Sequence, residues 1–133
     1  MKLITRDTDY AIRALLAAAS EPGKMTNVDE LVKKTKIPKP FLRKIVQTLN
    51  KHKLIKSFKG RGGGFLLSVD PADLTIIDII EVFQGEFRLT ECFFRKKACP
   101  RKEICKLKKS TDDIADYVKS KLREISLASL AEK

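Results

Sequence analysis

Along residues 8–19 apolar positions recur at helical spacing, which predicts a helix with Ile12, Leu15, Leu16 and Ala19 as its buried stripe. Asp7 and Asp9 suit the positive end of that helix, and Ser20-Glu21-Pro22-Gly23 ends it. Between Thr26 and Val69 the period changes twice. Val28, Leu31 and Val32 share one face of a short helix, and Leu42, Ile45, Val46 and Leu49 repeat at i, i+3, i+4 and i+7 in a second. Asn27 followed by Glu30 predicts a capping-box start, and Pro40 stands in a first helical turn, where a missing N–H removes no intrahelical bond. The break Thr35-Lys36-Ile37-Pro38 has the length of a helix-turn-helix turn. The run LIKSFKGRGGGFLLSV then reads as two apolar strands joined by a basic, glycine-rich loop, closed by Asp70-Pro71.

Thr75 and Asp78 predict the cap of another helix, with Ile76, Ile79, Ile80 and Phe83 inward and Gly85 as its stop. From Glu86 to about Lys102 the period is lost, and a loop is predicted. Beyond it Ile104, Leu107, Thr111, Ile114, Val118, Lys121 and Ile125 follow heptad spacing, a narrow seam interrupted at Thr111 and Lys121. Ser110 with Asp113 resembles a capping box, so a second helix starting there after a kink is the alternative. A helix of about twenty residues spans about 30 Å, too long to bury against so small a body. Its seam is therefore expected to meet a second copy, with folding back on its own domain as the competing arrangement. SLASLAEK is expected to form a short docking turn or a frayed tail. The predicted fold class is mainly α with a small β-hairpin wing. A winged helix-turn-helix occupies residues 1–85, and a cysteine loop with a long dimerisation helix occupies residues 86–133.

Composition narrows the partner. The 133 residues are 43% hydrophobic, enough for one core, and carry a net charge of +11, which favours a polyanion. No apolar run approaches the roughly 18–20 residues of a membrane span, and the first ten residues lack the apolar core of a secretory signal, so a cytoplasmic protein is expected. At the start of the second short helix Lys39, Pro40, Phe41, Arg43, Lys44 and Gln47 are the candidate DNA-binding positions. All but Phe41 are donors or helix starters off the core stripe, and none is acidic. A helix entering the major groove offers its N-terminal residues to base edges, where Arg and Gln can bond in pairs. Lys59 and Arg61 stand among Gly60, Gly62, Gly63 and Gly64; glycine permits close backbone approach, and arginine suits a narrow minor groove. A solvated basic face explains any single lysine as well, but the constellation points to duplex DNA. No phosphate-binding loop, nucleophile motif or general-base histidine is present, so an enzyme is not expected. The sole histidine, His52, ends the second helix and suits a polar or phosphate-facing role.

Cys92, Cys99 and Cys105 fall in the predicted loop and at the root of the long helix, in the pattern C-x6-C-x5-C. Structural zinc favours C-x2-C knuckles and four ligands. Three thiolates suit an iron–sulfur cluster with one iron held by another group or left open. Arg95, Lys96, Lys97, Arg101 and Lys102 interleave with them and would lower thiol pKa. Unligated thiols fit the spacing equally.

The TDYAIR start, the KGRGGGFLL wing, the TIIDIIEVFQG helix and the three-cysteine loop before a long helix resemble the IscR/NsrR-type regulators of the Rrf-type family, over nearly the whole chain. The resemblance implies a homodimeric winged-helix transcription factor, acting as a repressor, with a [2Fe-2S] or [4Fe-4S] cluster in each cysteine loop. Cluster gain or loss would tune operator affinity in response to iron–sulfur status, redox stress or nitric oxide. Cys92, Cys99 and Cys105 are the implied ligands, although the first gap is one residue longer than in the best-known members. Members resembling the cluster-assembly regulator place a histidine where this chain has Lys108. Members resembling the nitric-oxide sensor use an aspartate from the first helix of the partner subunit, and Asp9 in Thr8-Asp9-Tyr10-Ala11 matches it. Arg43 stands where the cluster-assembly regulator is acidic, so a different operator preference is expected. Two other classes stay open: a clusterless thiol- or partner-regulated DNA binder, and a winged-helix module whose basic face meets RNA or protein.

Overall fold

The computed structural model describes residues 2–89 and 106–131. Cys92, Cys99 and Cys105, with most of the predicted loop, lie outside the described residues. Helix α1 spans Arg6–Ala19, α2 Val28–Thr35 and α3 Lys39–Lys51; strands β1 and β2 span Ile55–Phe58 and Gly64–Leu67. Helices α4 (Ile76–Gln84), α5 (Lys106–Arg123) and α6 (Leu127–Ala131) follow.

The inward face of α1 differs from the predicted stripe. Thr8, Ala11, Ala14, Leu15 and Ala18 are buried, whereas Ile12, Leu16 and Ala19 are half-buried at the margin of the core. The alanines let α1 lie against α2, α3 and α4, with Leu15, a predicted core position, as the bulky side chain of that face. The fully buried Thr8 hydroxyl donates to Gln84 Oε1 at 2.7 Å, so its burial leaves no polar group unpaired. Thr5 caps the helix, which begins two residues earlier than periodicity suggested.

Helix α2 starts at the predicted cap, but with only half of the expected capping box, since the Glu30 carboxylate turns to Thr26 instead of the Asn27 N–H. Asn27 Oδ1 accepts from the Glu30 N–H at 2.9 Å, while the Glu30 carboxylate accepts from the Thr26 hydroxyl at 3.5 Å. Lys36 turns the chain in a left-handed conformation (φ 62°), Ile37 drops into the core, and Pro38 leads into α3. Leu42, Ile45 and Leu49 are buried and Val46 half-buried, in agreement with the predicted period.

Antiparallel β1 and β2 pair Ile55 with Leu67 through Phe58 with Gly64. The expectation of two apolar strands is corrected for β1, where only Ile55 is buried and Lys56, Ser57 and Phe58 face outward. Across the other edge of β2, Thr26 and Phe65 exchange both backbone bonds, at 3.0 and 2.7 Å. A β-carbon on Gly64 would sit 2.3 Å from the Thr26 carbonyl oxygen, so this rung requires glycine.

The Thr75–Asp78 capping box is present, and α4 buries Ile77 besides Ile76, Ile79 and Ile80; Phe83 is half-buried. Helix α5 runs unbroken through Ser110. Ala115 and Leu122 are buried and Val118 half-buried on the side packed toward α4, while Leu107, Ile114 and Tyr117 are 71%, 53% and 64% exposed. The C-terminal stretch docks: Leu127 is fully buried and its N–H donates to the Leu74 carbonyl at 2.8 Å.

Gly64→Ala is expected to destabilise the fold by about 1–3 kcal/mol. Gly62→Ala meets positive φ but no neighbouring atom, and should cost less. Urea denaturation of both variants checks this; equal midpoints would remove the Thr26 contact as the cause.

Candidate nucleic-acid interface

Helix α3 places its predicted residues unevenly. Lys39, Pro40, Arg43, Lys44 and Gln47 are exposed, and Lys39, Arg43, Gln47 and Asn50 follow one another at helical spacing along the solvent side. Phe41 lies off that line. It is half-buried against Tyr10 of α1, edge to face with ring centroids 5.9 Å apart, and the Arg6 guanidinium lies 4.6 Å over its ring. Phe41 thus braces α3 on α1 and sets a cation beside the helix start.

Lys39 Nζ lies 2.9 Å from Asp29 Oδ1. The Lys39 ammonium holds the Asp29 carboxyl below the usual carboxylate range, so the pair is intact at neutral pH. Both partners are exposed, and such a pair exchanges readily for a phosphate.

In the wing, Lys59 and Arg61 are exposed in a turn closed by the Gly63 N–H donating to the Gly60 carbonyl at 3.0 Å. Between the end of α3 and β1 lies an open hollow of about 520 Å³, lined by Asn50, Lys53, Ile55, Lys56, Ser57, Lys59 and Ser68. The Ser57 hydroxyl donates to Asn50 Oδ1 at 3.3 Å and the Ser68 hydroxyl to the Lys53 carbonyl at 2.6 Å, fixing both walls.

The charge distribution matches this geometry. Residues 31–69 hold eleven of the 28 Lys and Arg residues and none of the 17 Asp and Glu, so the remainder of the chain is balanced at seventeen of each. The whole net charge of +11 therefore belongs to the segment that forms most of α2, the turn, α3 and the wing. Lys53, Lys56 and Asn50 were not among the sequence candidates, although this acid-free run is the signal that marks them. Arg6 was also missed, because only its contact with Phe41 brings it to the recognition helix.

Asp9 projects from the first turn of α1, its side chain 45% exposed, and accepts from Arg13 Nε at 3.0 Å. The three cysteines lie outside the described residues, so Asp9 is the one proposed ligand whose surroundings are seen. No cluster of metal-binding side chains forms among the described residues. A half-exposed carboxylate bonded to a flexible arginine is free to turn toward an external ligand set, and three thiols plus an oxygen donor is a composition iron–sulfur chemistry accepts. No described helix is long and apolar enough to cross a membrane.

Comparison with known proteins is consistent with this picture. A family model described as Rrf2, iron-dependent transcriptional regulator, matches residues 4–133. The transcriptional regulator NsrR of Bacillus subtilis is 34% identical over 110 residues, which cover 81% of this chain and 75% of that protein. Among solved structures, CymR, the global cysteine regulator of B. subtilis, superposes with a TM-score of 0.78 at 25% identity, covering 98% of this chain and 97% of that one. T. potens IscR shares the fold, with a TM-score of 0.73 at 21% identity over 98% of this chain and 85% of its own. With a helix-turn-helix and wing that carry all the net charge, and a family match over almost its full length, the chain belongs to the Rrf2 family of transcriptional regulators.

Proposed function

We propose that this protein is a homodimeric repressor that reads duplex DNA with α3 and the wing and whose affinity is set by an iron–sulfur cluster. The carrying observation is the confinement of the entire net charge to the helix-turn-helix and wing. Arg43, Lys44 and Gln47 of α3 would meet base edges and phosphates in the major groove, and Arg61 would enter the adjoining minor groove, with Lys39 and Lys59 on the backbone. Pro40 fixes the first turn of α3, and Phe41 holds that turn in place from behind.

Dimerisation is supported by α5, whose exposed Leu107, Ile114 and Tyr117 form an apolar seam on the side away from its own core. A two-fold pair presents two recognition helices to two half-sites.

Cys92, Cys99, Cys105 and the partner subunit's Asp9 would hold the cluster. When bound, such a cluster supplies a redox- and ligand-sensitive centre. The route to the DNA lies in this chain's own residues. Asp9 adjoins Tyr10, and Tyr10 packs against Phe41 at the start of α3, so whatever holds Asp9 bears on the placement of the recognition helix. Only a difference in affinity between two such placements shifts DNA binding, and couplings of this kind are about 1–3 kcal/mol. A clusterless, thiol-regulated reading is favoured by the likeness to the cysteine regulator CymR, which the chain matches over nearly its whole length.

Three measurements decide between these readings. Arg61→Ala is expected to weaken binding about tenfold, or about 1.4 kcal/mol, and to blunt selectivity between A·T-rich and G·C-rich flanks in anisotropy titrations; unchanged affinity and selectivity would remove the wing from the reading surface. Anaerobically purified protein is expected to be coloured and to lose its visible absorbance in Cys→Ala variants at positions 92, 99 and 105 without unfolding; a colourless, iron-free wild type would select the thiol reading. Ile114→Glu is expected to convert a dimer to a monomer by light scattering, and a wild-type monomer would end the two-fold account.

A further inference from the structure

Resting on the DNA-reading function just proposed, we infer that the hollow between α3 and β1 is a phosphate-binding site that carries the duplex backbone beyond the recognition helix and the wing tip. Lys53, Lys56 and Lys59 line it together with Asn50, Ser57 and Ser68, which are hydrogen-bonding groups of the kind that hold a phosphate oxygen. No acidic side chain contributes to its lining, and no ion pair among the described residues engages any of the three lysines. Three ammonium groups without a counter-charge around one concavity of about 520 Å³ focus positive potential there.

The hollow continues the reading face. Asn50 stands at its rim and extends the exposed stripe of α3 that begins with Lys39, Arg43 and Gln47, and Lys59 belongs both to the hollow and to the wing loop. A duplex seated on α3 and touched by the wing passes this rim. The side-chain chemistry fits backbone and not bases: lysine is a flexible point charge without the planar fork that reads a guanine edge. The site is also held open by structure. Lys53 adopts φ 62° at the turn out of α3, its carbonyl is tied to Ser68, and Asn50 is tied to Ser57, so the walls are fixed before DNA arrives.

A contact of this kind strengthens binding to every sequence alike and raises its salt dependence. The test uses a duplex that the full-length wild-type protein selects from a random-sequence pool, a scrambled duplex of equal length, and Lys53→Gln/Lys56→Gln. If each lysine neutralises one phosphate, the slope of log affinity against log salt becomes shallower by about 1.8. The weakening should be the same factor for the selected and scrambled duplexes. Lys53→Arg/Lys56→Arg, which keeps the charges, should restore the slope and shows that the Gln variant fails through charge and not through folding. Shortening the selected duplex from its ends until the flanking phosphates are gone should erase the difference between wild type and the Gln variant. A Gln variant with the wild-type slope overturns the inference while leaving the proposed function standing, whereas a wild type that selects no duplex overturns that function itself. Inorganic phosphate that saturates the hollow's amide resonances, with the DNA slope unchanged in the Gln variant, would assign the hollow to a free anion and also overturn the duplex assignment.

Discussion

On the β2 side the wing is tied to the entry of the helix-turn-helix by a pair of backbone bonds between Thr26 and Phe65. The placement of β2 beside the motif depends on that rung. It fixes β2 beside the entry to α2, where Asn27 begins the helix, so the angle between wing and recognition helix is set within a few residues. It demands that Gly64 lack a side chain, because the Thr26 carbonyl occupies the space a β-carbon would take. It also satisfies the free edge of β2 at Phe65 and leaves β1 as the outer strand. Lys56 and Phe58 are exposed on β1, with the Lys56 ammonium 5.5 Å over the Phe58 ring.

Helix α1 links the start of the reading helix to the end of α4. Its inner face is made of three alanines, Thr8 and Leu15, and it packs against α2, α3 and α4 at once. At its start the Thr8 hydroxyl and the Thr5 N–H both donate to Gln84 Oε1, and Gln84 is the last residue of α4. One turn along, Tyr10 meets Phe41 of α3. A displacement at the end of α4 or at Asp9 therefore reaches the recognition helix through contacts between rigid elements. Packed cores respond to such a displacement by switching between arrangements rather than by bending smoothly.

The segregation of charge also bears on association. Outside residues 31–69 the charges cancel only in sum, and α5 itself carries six Lys and Arg against three Asp. Two copies meeting along α5 would bring that surplus together, and of the charge on residues 31–69 whatever lies more than a Debye length of about 8–10 Å away is largely screened. The apolar side chains of α5 rather than charge complementarity would have to hold such a pair together.

Local chemistry was enough to define most elements. Asn27, Pro40, the Thr75–Asp78 box and Gly85 each act within one helical turn, so the limits of α2, α3 and α4 and the hairpin between them were legible in the residue order. The candidate major-groove residues were legible too, since Arg43, Lys44 and Gln47 are simply the positions a core stripe leaves outside. What tertiary structure decided was orientation. In α1 both the alanine line and the isoleucine–leucine line are apolar, and contacts with its neighbours decide that Ala11, Ala14 and Ala18 join Leu15 in the interior while Ile12 and Leu16 stay at the margin. Burial of Thr8 depends on an amide 76 residues away, and the rung on β2 depends on a threonine that precedes the first helix of the motif. The hollow arises because a helix end and a strand edge converge, which places Lys53 and Lys56 around one space. Caps and periods are governed by neighbours in the chain, whereas facing and convergence are governed by contacts between residues far apart in it.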